Sequence, residues 1–181
     1  PYTTLFRSGD VTLQTPDLDL RFYERRSWRP AWTDSAGVTP HAADLLAALR
    51  GMETEGLVPA NYHLPELERL FTGLTRSGGP RNAEIRNRFE WLMTDAFFSC
   101  GRDLAFGRHR PAPEGAARVD LCPDAPLREA LEAAVASGRV GETLLDLAPR
   151  HAYFRNLRAA WMRYRRIVAD GGWPVLPPRP T

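Results

Sequence analysis

Hydrophobic positions recur along most of the chain with the 3.6-residue period of an amphipathic helix, and that period predicts an all-α fold of six or seven helices. A short helix over 17–26 carries Leu18, Leu20, Phe22 and Tyr23, and the aromatic stretch of Trp28, Pro30 and Trp32 breaks it. Thr39-Pro40 reads as a helix start: a hydroxyl N-cap, then a proline whose missing N–H costs nothing in the first turn. Leu45, Leu46, Leu49 and Met52 share the buried face that follows, and Gly56 closes the segment as a left-handed cap. A third helix begins at Pro65, with Leu67, Leu70, Phe71 and Leu74 on one face. The longest runs over 82–106, where Ile85, Phe89, Leu92, Ala96, Phe97, Cys100 and Leu104 make a stripe too wide for a surface helix. It is expected to be the central helix of the core, and Gly107 stops it.

Residues 108–123 lose the period, although Val119 to Cys122 could form a short extended piece. Asp124 then caps a helix with Leu127, Leu131 and Val135 inward, closed by Gly138, and a helical turn follows over 142–147. The last helix, over 150–169, is expected to turn Tyr153, Leu157, Ala160, Trp161, Tyr164 and Val168 to the core before Gly171-Gly172-Trp173-Pro174 ends it. No internal repeat has a convincing period, which argues against a solenoid.

The length of 181 residues suits one domain with tails, and 43% hydrophobic with 25% charged residues is ordinary for a globular protein. Wholesale disorder, collagen and a disulfide framework are excluded. No run of about 18 apolar residues exists, so no membrane segment is expected. All 24 basic residues are arginine, against 22 acidic ones; only two isoleucines and one glutamine occur. That profile fits a GC-rich coding sequence, so the sequence pI of 8.9 is weak evidence for a nucleic-acid partner, and none is expected. Residues 1–8 resemble a translated sequencing adapter and are set apart as a non-native segment. Residues 9–176 are then one helical domain, and the proline-rich 177–181 reads as the start of a linker. The chain is expected to be an internal piece of a longer protein.

The candidate chemistry is thin. Cys100 lies on the apolar face of the long helix, where no helix terminus or neighbouring histidine lowers a thiol pKa; a buried structural thiol is expected, with a Cys100–Cys122 disulfide as the alternative. His41, His63, His109 and His151 show no metal-ligand spacing, and surface or capping roles are their default. Glu53 with Glu55 and Glu66 with Glu68 fall on different helix faces, so neither pair is favoured for acid–base work. Arg155, Arg158, Arg163, Arg165 and Arg166 form a basic face on the last helix; a solvated surface is the default and phosphate contact the alternative. Of Trp28, Trp32, Trp91, Trp161 and Trp173, most are expected in the core, with one or two free for a carbohydrate or partner. The expected catalytic, cofactor-binding and metal residues are none.

Phe22-Tyr23 with Trp28-Arg29-Pro30-Ala31-Trp32, then Gly56-Leu57-Val58-Pro59-Ala60-Asn61-Tyr62-His63, form an ordered set of motifs. Thr94-Asp95-Ala96-Phe97, Arg102-Asp103-Leu104 and Gly107-Arg108 continue it, and Leu147-Ala148-Pro149-Arg150-His151 and Gly171-Gly172-Trp173-Pro174 close it. Together, over Leu18 to Leu176, they resemble the N-terminal scaffold domain of the large periplasmic L,D-transpeptidases. The resemblance implies a non-catalytic scaffold. It would support a catalytic domain and a peptidoglycan-binding-like domain of the same parent chain, in peptidoglycan cross-linking and cell-wall biogenesis in the periplasm. The parent would use a cysteine thiolate to form an acyl-enzyme with a donor stem peptide and pass it to an acceptor amine. The Ser/Thr-His-Gly-Cys motif of that catalytic domain does not occur here: Ser99-Cys100-Gly101-Arg102 lacks the histidine and falls in a helix. A stand-alone helical module for protein or glycan, and a nucleic-acid-binding domain using the last helix, are the alternatives.

Overall fold

Among the described residues the helical period is realised as seven α-helices. A computed structural model of the chain describes the backbone of residues 7–8 together with residues 11–76, 83–108 and 124–173. In chain order these form β1 (Arg7–Ser8), β2 (Val11–Thr12), α1 (Pro16–Arg25) and α2 (Pro40–Gly51). The 3-10 turns Met52–Glu55 and Pro59–Tyr62 precede α3 (Leu64–Arg76) and α4 (Ala83–Phe106). Then come α5 (Asp124–Ser137), α6 (Val140–Asp146) and α7 (Ala152–Ala169). Beyond the antiparallel β1–β2 pair and one isolated bridge between Thr33 and Val38, no strand pairing occurs among the described residues. The fold is all-α, as the periodicity predicts. Of the segment set apart as non-native, only the backbone of Arg7–Ser8 is described, paired with Val11–Thr12. Residues 177–181 and the extended piece predicted at 119–122 lie outside the described residues.

α4 is the centre of the domain. It packs against α1, α3, α5 and α6, and every residue from Leu92 to Gly101 is buried. A helix buried all round belongs to an interior. Phe97 and Phe98 are fully enclosed and meet edge to face with ring centroids 5.8 Å apart; Phe22 of α1 meets Phe98 in the same way at 5.9 Å. The predicted stripe nevertheless begins one turn too early. Ile85 is exposed, because residues 83–88 of α4 run ahead of the helices that cover the rest.

Thr39 does not cap α2 with its side chain. Its hydroxyl donates instead to the Trp32 carbonyl at 3.1 Å, which ties the helix start to the loop ahead of it. Met52 to Glu55, drawn above into the second helix, tightens into the 3-10 turn before Gly56 reverses the chain at φ 80°.

α2 and α6 make the closest helix pairing, and Gly141 is the reason. Its N–H donates to Asp44 Oδ2 at 2.8 Å. A Cβ at this position would lie 2.8 Å from Asp44 Oδ1 and 3.1 Å from the Asp44 backbone oxygen, so the absence of a side chain sets the approach. Gly141→Ala is expected to cost about 1–3 kcal/mol by overpacking, read as a lowered urea midpoint. A neutral result would show that α6 can shift away freely. Phe97→Ala is expected to cost about 3–5 kcal/mol through lost burial and a residual cavity. A loss below about 1 kcal/mol would show that the site collapses around the deletion.

Candidate functional site

Motif residues that lie scattered in the sequence meet polar side chains along α4, most of them buried. Glu90 is the first hub. Its carboxylate accepts from the Ala31 N–H at 2.9 Å, the Trp32 N–H at 3.0 Å, the Thr33 hydroxyl at 2.7 Å and the Tyr23 hydroxyl at 2.8 Å. One turn on, Thr94 lies 2.9 Å from the Tyr23 hydroxyl and accepts from Trp32 Nε1 at 2.8 Å. Asp95 is the second hub. Its Oδ1 accepts the Gln14 and Thr15 N–H groups, each at 2.6 Å, and the Thr15 hydroxyl at 2.9 Å. Its Oδ2 stands 2.7 Å from His63 Nε2. Two turns further, Asp103 accepts from the Tyr62 hydroxyl at 3.0 Å.

This arrangement corrects the default reading of His63. Its side chain is only 10% exposed and pairs with a fully buried Asp95, while its backbone sits in the left-handed region at φ 59°. A non-glycine residue there is strained, and the Asp95 contact holds it while its carbonyl starts α3 by accepting from the Leu67 N–H. The other described histidines differ. His151 caps α7, its Nδ1 accepting from the Phe154 N–H at 3.1 Å. His41 lies against Gly138, with Nδ1 buried and unpartnered. His109 lies outside the described residues.

A third carboxyl, Asp19, is enclosed beside this pair. Thr15 Oγ1 is 3.3 Å from its Oδ1, and its Oδ2 has no hydrogen-bond partner. Burial, and next the Asp95 charge, hold Asp19 well above the ordinary aspartate range. Burial, and then the neighbouring carboxylates Glu90 and Asp103, likewise raise the Tyr23 and Tyr62 phenols, so both stay protonated donors.

Cys100 is fully buried and free, and burial followed by the Asp103 charge raises its thiol far from thiolate formation. Cys122 lies outside the described residues. Among the described residues, no three His, Cys, Asp or Glu side chains converge as metal ligands, and no helix is long and apolar enough to cross a membrane. Glu66 pairs with Arg69 and Arg88, and Glu68 with Arg50, on the surface.

The last helix overturns its expectation. None of its residues is buried; Tyr153 is 85% exposed, Leu157 69% and Val168 63%. The periodicity of α7 is real, but its apolar face points away from the core. What anchors α7 is polar. Trp161 Nε1 donates to the Glu53 carbonyl at 2.8 Å, Arg165 meets Glu53 at 2.6 Å and Arg158 meets Glu55 at 2.6 Å. Glu53 and Glu55 are thus docking groups on the 3-10 turn. A cleft of about 760 Å³ lies beside the helix, lined by Phe154 and Met162 of α7 and by Leu145, Ala148 and Pro149 of the preceding segment. Its arginines are already engaged, Arg150 with Asp146, Arg155 with the Arg150 carbonyl and Arg158 with Glu55. Surface ion pairs of this kind are worth about 0–1 kcal/mol, whereas covering a large apolar side chain yields about 1.5–3 kcal/mol. The tryptophans divide accordingly: Trp32 is fully buried and Trp91 half-buried against Tyr23, while Trp28, Trp161 and Trp173 are exposed. Trp173 folds back on Tyr164 with ring centroids 5.8 Å apart, as the Gly-Gly turn before it allows.

A buried polar lock on α4 and an amphipathic helix mounted on the outside characterise this all-α domain. A family model described as a scaffold domain matches residues 20–160. That is more than half of the chain, and the chain belongs to this scaffold-domain family. No curated protein and no solved structure matches it.

Two substitutions test the lock. Glu90→Ala strands the Ala31 and Trp32 N–H groups and the Thr33 hydroxyl, and is expected to cost about 3–5 kcal/mol of stability. A cost near zero in urea unfolding would show that water replaces the carboxylate. Asp19 binds a proton in the folded chain that the unfolded chain releases. Stability must therefore fall as pH rises from the ordinary aspartate range through the raised folded value. Asp19→Asn removes that dependence. Its urea midpoint is expected to gain on the parent chain as the pH rises above the ordinary aspartate range; a constant difference would mean that Asp19 stays ionised in the fold.

Proposed function

We propose that this chain is the scaffold domain of a periplasmic L,D-transpeptidase. In this reading it carries no chemistry and positions a catalytic cysteine domain, with a peptidoglycan-binding-like domain, for peptidoglycan cross-linking. The observation that carries the reading is that residues of the transpeptidase-like motifs build the buried lock on α4. Tyr23 and Trp32 bind Thr94, His63 binds Asp95, and Tyr62 binds Asp103. The motif positions thus make a rigid support, and the scaffold-family match over 20–160 agrees with that role.

In such a protein the acyl-enzyme forms on a cysteine outside this chain. Cys100 cannot serve, because it is enclosed within a helix and held as a thiol. The test is acylation by a carbapenem, read by intact mass. The isolated chain is expected to stay unmodified, and the parent protein to gain one adduct on a cysteine of a Ser/Thr-His-Gly-Cys motif encoded beside this region. An adduct on Cys100 would assign chemistry to this domain and overturn the reading. A parent without that motif, or one retained in the cytoplasm on fractionation, would remove the transpeptidase context.

A further inference from the structure

The outward face of α7, met within the domain by Trp173 against Tyr164 near one end, has a shape and a charge that describe what can cover the rest. Tyr153, Leu157, Ala160, Tyr164 and Ile167 follow one another at intervals of four and three residues. This is the seam that one helix offers another in knobs-into-holes packing. Ala160 sits at its middle, where a small side chain lets a second helix approach. Arg158 and Arg165 on the far side of α7, and Trp161 at the edge of the seam, are already committed to the 3-10 turn. The seam therefore faces outward on a helix whose position is fixed.

The charge is one-sided. α7 has five arginines and no carboxylate. Arg158 and Arg165 are paired within the domain and Arg155 is held by a backbone carbonyl. Arg163 and Arg166 are exposed and have no carboxylate partner among the described residues. Arg163 stacks over Tyr164 with its guanidinium carbon 5.4 Å from the ring centroid, which places its charge at the rim of the seam.

We infer that α7 is a docking surface for an amphipathic α-helix with an acidic edge, carried by a partner domain. A second copy of this chain fits poorly, since pairing two α7 helices would set arginine against arginine with no carboxylate between them. An anionic lipid surface is matched by larger free basic clusters, of about four to eight cations; α7 has only Arg163 and Arg166 uncommitted. The inference stands on α7 itself and does not depend on the partner being a transpeptidase.

The test uses the 181-residue chain and a fluorescein-labelled three-heptad peptide, with leucine at a and d and glutamate at e and g. Its twin carries lysine at e and g. Anisotropy is expected to show saturable binding of the glutamate peptide and about tenfold or weaker binding of the lysine peptide, with the difference shrinking in high salt. Leu157→Asp and, independently, Tyr153→Asp should abolish binding without altering the circular dichroism, because both side chains are solvent-exposed. The double change Arg163→Glu and Arg166→Glu should reverse the preference between the peptides. Absence of binding, equal binding of the twins, or binding indifferent to Leu157→Asp would overturn the inference. So would sedimentation showing a dimer of this chain that Leu157→Asp dissolves, or capture on anionic phosphatidylglycerol vesicles in place of the peptide.

Discussion

The domain depends on two carboxylates placed inside its most buried helix. Glu90 and Asp95 could not remain enclosed without donors. The segment from Gln14 to Thr33, together with His63, supplies them through backbone N–H groups, hydroxyls and one imidazole. The exchange works in both directions. The loop around Ala31 and Trp32 has no ladder to satisfy its amides, and α1 begins without a side-chain cap of its own; α4 provides both with acceptors. Hydrogen bonds to ionised groups exceed neutral ones in strength, and in a buried setting their loss costs far more than their formation gains. The order of the first third of the chain and the position of α4 are therefore one structural decision.

The architecture was legible because it rests on periodicity. The 3.6-residue pattern located all seven helices, the wide stripe of the long one marked it as central, and Gly107 and Gly56 fell at chain reversals. The lock was not legible. Glu90 and Asp95 are charged positions beside the apolar stripe of the long helix, and their burial depends on donors about 60 to 80 residues away. A hint existed in Thr94-Asp95 and Tyr62-His63, polar residues embedded in otherwise apolar or turn-forming motifs, but nothing local pairs them. Trp28 was also out of reach. It is exposed because Ser27 and Trp28 both adopt left-handed backbone at φ 52° and 61°, and neither residue type announces that conformation.

α7 shows the opposite limit. An amphipathic pattern states that one face seeks apolar company but not whose. Tyr153, Leu157 and Val168 have the spacing of core residues and meet no core, because the cations on the other side of the helix and the Trp161 indole N–H at its edge are what find partners in the domain. Reading the face inward was the natural inference for an isolated chain.

The way α7 is mounted also divides the molecule into two tiers of cooperativity. The tier around α4 can open only by stranding buried charges, so its amides exchange through global unfolding. α7 hangs on a few exposed polar contacts with one turn, and it can detach and return as a unit while α4 stays closed. A helix laid along its outer face would merge the tiers, because detaching α7 would then expose the apolar seam as well. Hydrogen-exchange protection of the last helix would thereby report any helix laid along that face.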